Sequence, residues 1–288
     1  MKMTKKPKLH KLLSYILIVY LTFGSVFAVP HPVQASVVSV SNYAWYTVNP
    51  NATIFTISSA DELRAFAHIV NGTDGQTAFN FSGRTVTLAA NINLLHIAWI
   101  PIGTTANPFA GVFDGSNFTI SGLQVNMTGL TGGAGDNAGL FGHIQNGTVQ
   151  NLRVNGNVNG ANRTGGIVGR VTHTGTGSPR IVNVHFSGAI IGGSNTGGIV
   201  GILESSRAAV GSSSNTANID AAATTGGIVG DNRGIVETSF NTGNVTGLGD
   251  GVGGVVGRNQ FLVQHSYNTG NVFAGTFNGG TGGVVGSM

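Results

Sequence analysis

Two short apolar phrases alternate along most of this chain. The first begins and ends with glycine and recurs six times, as GLFG at 139–142, GIVG at 166–169, 198–201 and 227–230, and GVVG at 254–257 and 283–286. Successive copies start 27, 32, 29, 27 and 29 residues apart. Such spacing is typical of a stacked array in which each repeat covers its neighbour.

The second phrase lies between the glycine phrases and keeps its own register. Its copies read VQNLRVNGNV, IVNVHFSGAI, VGSSSNTANI, VETSFNTGNV and VQHSYNTGNV and begin at Val149, Ile181, Val210, Val236 and Val263. The first and last positions are always Val or Ile, which predicts two inward-facing columns. The sixth position is asparagine in the last three copies, which predicts a ladder of stacked amides formed by Asn215, Asn241 and Asn268.

The residue types of both phrases favour strands over helices. β-Branched residues occur in short runs, interrupted by Gly and Asn, which tolerate left-handed backbone conformations at tight turns. We therefore predict an all-β fold, a right-handed parallel β-helix (β-solenoid) with coils of roughly 27–32 residues. With neighbouring coils about 4.8 Å apart, the repeats would form a rod on the order of 30 Å long.

The residues before the repeats predict a cap for the first coil. Residues 36–57 contain SVVSVSNYAWYTV and ATIFTI, which have the composition of strands. Ser59 and Glu62 have the spacing of a capping box, and Leu63, Phe66 and Val70 follow at helical intervals. We predict a short amphipathic helix over about 59–71, which would cover the open end of the solenoid.

Two further segments precede the first glycine phrase. RTVTLAANINL at 84–94 alternates as a strand does. Asp114 and Gly115 lie between apolar residues, which predicts either a hairpin or a corner at this point.

The first 35 residues have the plan of a secretory signal peptide. A lysine-rich start precedes an apolar run of 17 residues, 12–28, and Ala35 provides a small residue for cleavage. We expect three regions: a signal peptide at 1–35, N-terminal strands and a capping helix at 36–83, and solenoid repeats at 84–288 whose last coil is open or continues in a longer protein. Retention of the apolar run as an anchor is the alternative.

Removal of this segment changes the charge of the chain. All five lysines lie within it, so nine arginines and ten acidic residues remain and the net charge falls from +4 to −1. This argues against a nucleic acid or an anionic membrane as partner. The chain has no cysteine, which excludes disulfides and thiol chemistry. We expect a secreted protein of a bacterial cell surface.

One string of the chain is distinctive enough to suggest a family. FAGVFDGSNFTISGL at 109–123, together with WIPIG at 99–103 and the glycine phrases, resembles the GLUG-motif repeat proteins of bacterial cell surfaces. The motif also occurs in the noncatalytic N-terminal part of immunoglobulin-A-cleaving, M26-type metallopeptidases. The resemblance covers roughly 58–288 and implies an exported protein joined to anchoring, adhesive or catalytic modules.

The sequence contains few groupings that suggest catalysis or metal binding. A zinc peptidase of the usual kind needs HExxH, which is absent, and the histidines after the signal segment are scattered, at His68, His96, His143, His173, His185 and His265. The strings GAGD at 133–136 and GLGD at 247–250 resemble calcium-binding turns, but such sites need tandem copies. We therefore assign no catalytic residue, metal or cofactor.

Carboxylates from adjacent coils could still meet in a polysaccharide-active enzyme. The candidates are Asp220, Asp231, Glu237 and Asp250, with Glu204 nearby. Their offsets from the glycine phrases differ, so we expect them to lie on solvated turns rather than on one face.

Aromatic residues are the remaining candidates for a binding surface. Tyr43, Trp45, Tyr46 and Trp99 lie outside the regular repeats, where they could contact sugars or proteins, although packing of the cap explains them better. Stacking between coils is the expected role of Phe186, Phe240 and Tyr267.

Together these features predict a non-enzymatic adhesive, spacer or matrix-binding module. The expected partner is a polysaccharide or a host-matrix or cell-surface protein, with an end-to-end contact through an open last coil as a further expectation. The alternatives are the noncatalytic N-terminal region of a larger surface peptidase, or a β-helix enzyme that acts on polysaccharides.

Overall fold

The computed structural model describes residues 41–129, 135–275 and 279–288. It is a parallel β-solenoid of about 8 turns, with about 29 residues in each coil and a short N-terminal helix. The predicted fold class is therefore confirmed. The signal segment, residues 36–40 and the start of the GAGD string lie outside the described residues.

The regular elements of the described residues are two helices and a series of mostly short strands. The helices are α1 (Ala44–Thr47) and α2 (Ala60–Asn71). The strands are, in chain order, β1 (Ile54–Ile57), β2 (Thr85–Leu88), β3 (Ile92–Asn93), β4 (Val112–Asp114), β5 (Thr119–Asn126), β6 (Phe141–Gln145), β7 (Thr148–Asn159), β8 (Thr164–Gly165), β9 (Val168–Thr172), β10 (Arg180–Gly197), β11 (Val200–Leu203), β12 (Ala209–Gly211), β13 (Ser214–Asn215), β14 (Asn218–Gly226), β15 (Val229–Asn232), β16 (Ile235–Glu237), β17 (Phe240–Asn241), β18 (Val245–Gly247), β19 (Val252–Gly253), β20 (Val256–Asn259), β21 (Leu262–Gln264), β22 (Tyr267–Asn268), β23 (Val272–Ala274), β24 (Thr281–Gly282) and β25 (Val285–Ser287).

The strands form two sheets in which every strand pair is parallel, and the smaller sheet begins at the first glycine phrase. The larger sheet contains the second phrase: its first column begins with β1, β2 and β4 and continues through β7, β10, β12, β16 and β21. The smaller sheet is six-stranded, in the order β6, β9, β11, β15, β20 and β25, and each of its strands follows the start of a glycine phrase. Each repeat thus contributes to both walls.

The two predicted inward columns are confirmed. Val149, Ile181, Val210, Val236 and Val263 pair in register from coil to coil. The last positions of the phrase do the same, in the order Val158, Ile190, Ile219, Val245 and Val272. All are buried except Val263 and Val272 of the last coil, which are partly buried.

The asparagine ladder is also confirmed and lies inside the solenoid. The Nδ2 of Asn215 donates to Oδ1 of Asn241 at 2.8 Å, and the Nδ2 of Asn241 donates to Oδ1 of Asn268 at 2.8 Å. Each asparagine side chain also forms hydrogen bonds with the backbone of the residue two positions later in the sequence, as Asn241 does with Gly243. The polar groups of these side chains are therefore paired although Asn215 and Asn241 are fully buried.

The asparagine ladder explains why three of the glycine phrases begin with glycine, at Gly198, Gly227 and Gly254. A Cβ on Gly227 would overlap the carbonyl oxygen of Gly254 and lie 2.5 Å from Cγ of Asn241. The last glycine of the same phrase is equally confined, because a Cβ on Gly230 would lie 2.6 Å from backbone atoms of Asn195 and Gly201. Backbone passes too close at both positions for any larger residue.

The predicted capping helix is confirmed as α2. Ser59 is its N-cap, the Glu62 amide donates to the Ser59 hydroxyl at 3.3 Å, and the Ser59 amide donates to Oε2 of Glu62 at 3.1 Å. Gly72 ends the helix in a left-handed conformation with φ of 69°. Leu63, Phe66 and Val70 are fully buried at the first coils.

The prediction of a strand through YAWYTV is wrong, because Ala44–Thr47 forms α1. The Ala44 amide donates to Oδ1 of Asn42 at 3.0 Å at the start of this turn. Trp45 and Tyr46, although consecutive, both pack against Phe55, with ring centroids 5.6 and 5.5 Å away. A strand would direct these two side chains to opposite faces, so packing overrides strand propensity here.

The turn at Asp114-Gly115 is a corner, and the hairpin alternative is wrong. β4 and β5 flank it and both pair with β7 rather than with each other. Ser116 and Asn117 take up the change of direction with φ of 49° and 64°. The corresponding corner of each later coil also contains one residue in the left-handed conformation. These residues are Asn151, Asn183, Ser212, Thr238 and His265.

Candidate functional site

Two polar concavities lie on different walls of the solenoid. The first, which we name the His143 pocket, has a volume of about 450 Å³ and is lined by Thr105, His143, Gln145, Arg170, Thr172, His173 and Glu204. The second, which we name the Arg153 groove, has a volume of about 180 Å³ and is lined by Thr119, Arg153, Val154, Asn155, His185, Phe186, Ser187, Ser214 and Thr216.

The His143 pocket is assembled by three successive strands of the six-stranded sheet. His143 on β6 lies in register with Arg170 on β9, and Arg170 lies in register with Ile202 on β11. Thr172 ends β9, and Glu204 follows directly after β11. Side chains far apart in sequence are thus brought together because each coil returns to the same wall.

His143 is held in one neutral tautomer at the base of the pocket. Its Nδ1 lies 3.2 Å from the Thr104 carbonyl oxygen, and its Nε2 lies 2.8 Å from Oγ1 of Thr172. Because a carbonyl can only accept, Nδ1 carries the proton and Nε2 accepts from the threonine hydroxyl. Burial, and then the positive charge of Arg170, lower the pKa of His143 from 6.5 to about 4.

Arg170 and Glu204 supply the charges of the pocket. Nη2 of Arg170 donates to Oε2 of Glu204 at 2.7 Å, and both side chains are about a quarter exposed. The remaining guanidinium and carboxylate positions, with the amide of Gln145, offer both donors and acceptors to a ligand. Among the described lining residues Glu204 provides the carboxylate, whereas a glycosidase of the usual kind uses two.

The Arg153 groove lies on the larger sheet and follows one outward column. Thr119, Arg153, His185 and Ser214 are in register on successive coils. Nδ1 of His185 lies 2.8 Å from Oγ of Ser214, and its Nε2 lies 3.3 Å from Oδ1 of Asn183. Burial, and then the charge of Arg153, lower the pKa of His185, so this imidazole is also neutral near pH 7.

The structure does not bring the five predicted carboxylates together. Asp220 lies on β14 of the larger sheet, whereas Asp231 lies on β15 of the smaller one. Glu237 accepts from Nε2 of Gln264 at 3.0 Å, and Asp250 is exposed in a loop. Glu204 belongs to the His143 pocket.

The expectation that Asp231 lies on a solvated turn is wrong. Its side chain is fully buried, accepts from Nη2 of Arg258 at 2.6 Å and from Nε2 of Gln260 at 3.1 Å, and lies 3.3 Å from Nη2 of Arg233. These cations compensate the buried charge. The signal was available in the sequence, because Asp231 and Arg258 each directly follow a glycine phrase and therefore share a register.

The other candidate residues have structural contacts. Among the described residues, no group of three or more His, Asp or Glu side chains is arranged to hold a metal ion. Asp136, from the GAGD string, bonds Arg163 at 2.5 Å. Nε1 of the buried Trp99 donates to the Leu140 carbonyl at 3.0 Å.

The predicted aromatic stack is confirmed in part. Phe240 and Tyr267 stack with ring centroids 5.2 Å apart and an interplanar angle of 5°. Phe186 lies instead in the buried column of Asn215, with which it is in register. Trp45 and Tyr46 pack in the cap, as expected.

Comparisons with known proteins yield one relevant structure. No protein-family model and no curated protein matches the sequence. The fold is similar to the crystal structure of a candidate immunoglobulin A1 protease from Bacteroides ovatus, with a TM-score of 0.53 and 17% sequence identity over 80% of this chain and 84% of that chain. Similarity at this level of identity establishes the shared fold. Within the described residues, neither helix has the length and apolar character to cross a membrane.

Proposed function

We propose that this protein is a non-enzymatic binding module of a bacterial cell surface, and that the His143 pocket holds one sugar residue of a polysaccharide. The observation that carries this proposal is the convergence of polar side chains from three coils on one pocket. Its volume of about 450 Å³ falls in the range of small-ligand sites, roughly 300–1,000 Å³. The export signal at 1–35 supports an extracellular location.

The chemistry of the pocket suits hydroxyl groups. Arg170 offers paired N–H donors and Glu204 offers paired oxygens, so neighbouring hydroxyls of a sugar can bond to both. His143 is fixed on both ring nitrogens and neutral, so it supports the pocket without adding charge. The in-register strands of the six-stranded sheet allow the rest of a polymer to extend across adjacent coils.

The decisive experiment is binding of the purified protein to a panel of neutral polysaccharides and matrix proteins, with release of oligosaccharides followed in parallel. Saturable binding without products, weakened at least fivefold by Arg170→Gln and by Gln145→Ala, supports the proposal. Arg180→Gln is the matched control, because it removes the same charge from an exposed site on the other sheet. Released products would assign an enzymatic role instead.

A second candidate function is a noncatalytic region of a larger surface peptidase. The similarity to the candidate immunoglobulin A1 protease favours it, since that protein has the same solenoid fold. Reading the gene beyond the codon for Met288 tests this candidate. A downstream HExxH segment would support it, and a stop codon directly after Met288 would contradict it.

A further inference from the structure

We infer that the Arg153 groove is a second binding site, for a carboxylate-bearing sugar of an acidic polysaccharide. It is separate from the His143 pocket, because its side chains belong to β5, β7, β10 and β13 of the larger sheet. The proposal stands on a cation without an ion-pair partner among the described residues, on the polar side chains beside it and on the size of the groove.

The cation is the guanidinium of Arg153. Its side chain is exposed, its Nη1 donates to the Asn117 carbonyl at 3.1 Å, and it takes part in no ion pair among the described residues. One edge of the planar guanidinium, with its N–H donors, therefore stays available to a ligand. A carboxylate matches that edge with two parallel hydrogen bonds, which a single neutral hydroxyl cannot form.

The acidic side chain at the end of β4, in the same sheet, already has hydrogen-bond partners. Asp114 accepts from Nε2 of Gln150 at 2.8 Å, from Nδ2 of Asn151 at 3.1 Å and from the Ser116 amide at 2.8 Å. These bonds hold its carboxylate at the corner, and it forms no ion pair with Arg153. The positive charge of Arg153 acts on His185: burial is the main cause that lowers the pKa of this histidine, and the charge of Arg153 is the second.

The rest of the lining suits the hydroxyl groups of a sugar. Nδ2 of Asn155 donates to Oγ of Ser187 at 3.1 Å, which leaves the Asn155 carbonyl and the Ser187 hydrogen for a ligand. Thr119 and Thr216 add hydroxyls at opposite ends of the groove.

The size of the groove limits what it can enclose. A volume of about 180 Å³ is below the roughly 300 Å³ of common small-ligand sites, so the groove accommodates one sugar residue and not a free oligosaccharide. Further residues of the polymer would lie along the wall, where successive coils are about 4.8 Å apart.

Affinity electrophoresis of the purified protein tests the site, in gels that contain polygalacturonate, dextran or dextran sulfate. We expect retardation by polygalacturonate and about a tenfold loss of affinity in Arg153→Gln, the equivalent of roughly one bidentate bond to a charged group. Ser187→Ala should weaken binding in the same direction. Arg180→Gln, which removes an exposed charge from β10, the strand that pairs with β7, should change affinity less than twofold.

Three results would overturn the inference. Absence of retardation by polygalacturonate would show that the groove does not bind a carboxylate-bearing polysaccharide. An equal loss in Arg180→Gln would reduce the interaction to general charge attraction, and equal Arg153-dependent binding of dextran sulfate would contradict the preference for carboxylate. Arg170→Gln changes the His143 pocket alone, so unaltered polygalacturonate binding in that variant keeps this site distinct from the proposed function.

Discussion

Two buried ionisable side chains on the six-stranded sheet are accommodated in opposite ways. Asp231 has charged and polar partners, because Arg258 and Gln260 bond directly to its carboxylate. His143 loses its charge, because a carbonyl and a hydroxyl satisfy both ring nitrogens of the neutral form. Burial of an uncompensated charge costs several kcal/mol, so each arrangement avoids that cost.

The state of His143 predicts a pH dependence of stability. Its pKa is 6.5 when exposed and about 4 in the fold, so between these values the unfolded chain binds more protons than the folded one. The contribution of the neutral imidazole is present above pH 6.5 and is lost as pH falls through about 4, a difference of about 3 kcal/mol. Urea unfolding at pH 7, 5.5 and 4 measures it.

His143→Gln and His173→Gln form the matched pair for this measurement, because both side chains line the same pocket. The fall in unfolding free energy between pH 7 and 4 should be smaller in His143→Gln and unchanged in His173→Gln. His185 contributes in the same direction, since its pKa is also lowered. An identical fall in His143→Gln and the wild type would contradict the assigned neutral state.

At the scale of elements, the sequence predicted those helices and strands whose formation depends on residues close together in the chain or on a repeated pattern. The capping box and the helical spacing of Leu63, Phe66 and Val70 were sufficient for α2, because both depend on residues within one or two turns. The inward columns followed from a pattern repeated in five coils. α1 was missed because Trp45 owes its position to distant aromatic residues, such as Phe81.

The candidate site was harder to predict, for a physical reason. His143 and Arg170 each directly follow a glycine phrase and are in register, whereas Glu204 lies three residues past the end of its own phrase. Coil lengths vary, so sequence spacing alone does not identify Glu204 as the neighbour of Arg170. Asp231 and Arg258 behave as His143 and Arg170 do, because both directly follow a phrase and are in register.

The capping box of α2 predicts how much stability the protein loses when the Ser59 hydroxyl is removed. Ser59→Ala removes the acceptor of the Glu62 amide, and loss of such a cap costs about 1 kcal/mol. Thermal unfolding followed by circular dichroism should show a lower midpoint. Ser82→Ala is the control, because Ser82 is exposed and bonds to Asn80 through its backbone amide. An equal shift in both variants would contradict the role of the cap.

At the scale of the whole molecule, the composition of the interior changes along the solenoid. Large aromatic side chains fill the first coils, at Phe66, Phe81, Phe109, Phe113 and Phe141. The later coils contain valines and the asparagine ladder in the same space. Because each coil contacts mainly its neighbours, stability is close to a sum of local terms, and the aromatic end should be the more stable one.

This gradient predicts how the solenoid responds to a charge in its interior. Val236 and Val263 occupy the same inward column on adjacent coils, but Val236 is fully buried and Val263 is partly exposed. Val236→Asp would bury a carboxylate with no partner in that column, at a cost of about 3 kcal/mol or more. Val263→Asp can leave its charge in contact with water and should cost less.

Hydrogen exchange measured by mass spectrometry locates the damage. In Val236→Asp, protection should fall first in β12–β23, which surround the substitution, while β1–β7 around the aromatic interior keep most of theirs, because coupling passes through successive coil contacts. Equal melting of Val236→Asp and the wild type would refute the inward assignment of this column. Uniform loss of protection along the chain would instead show that the coils unfold as one cooperative unit despite their different interiors.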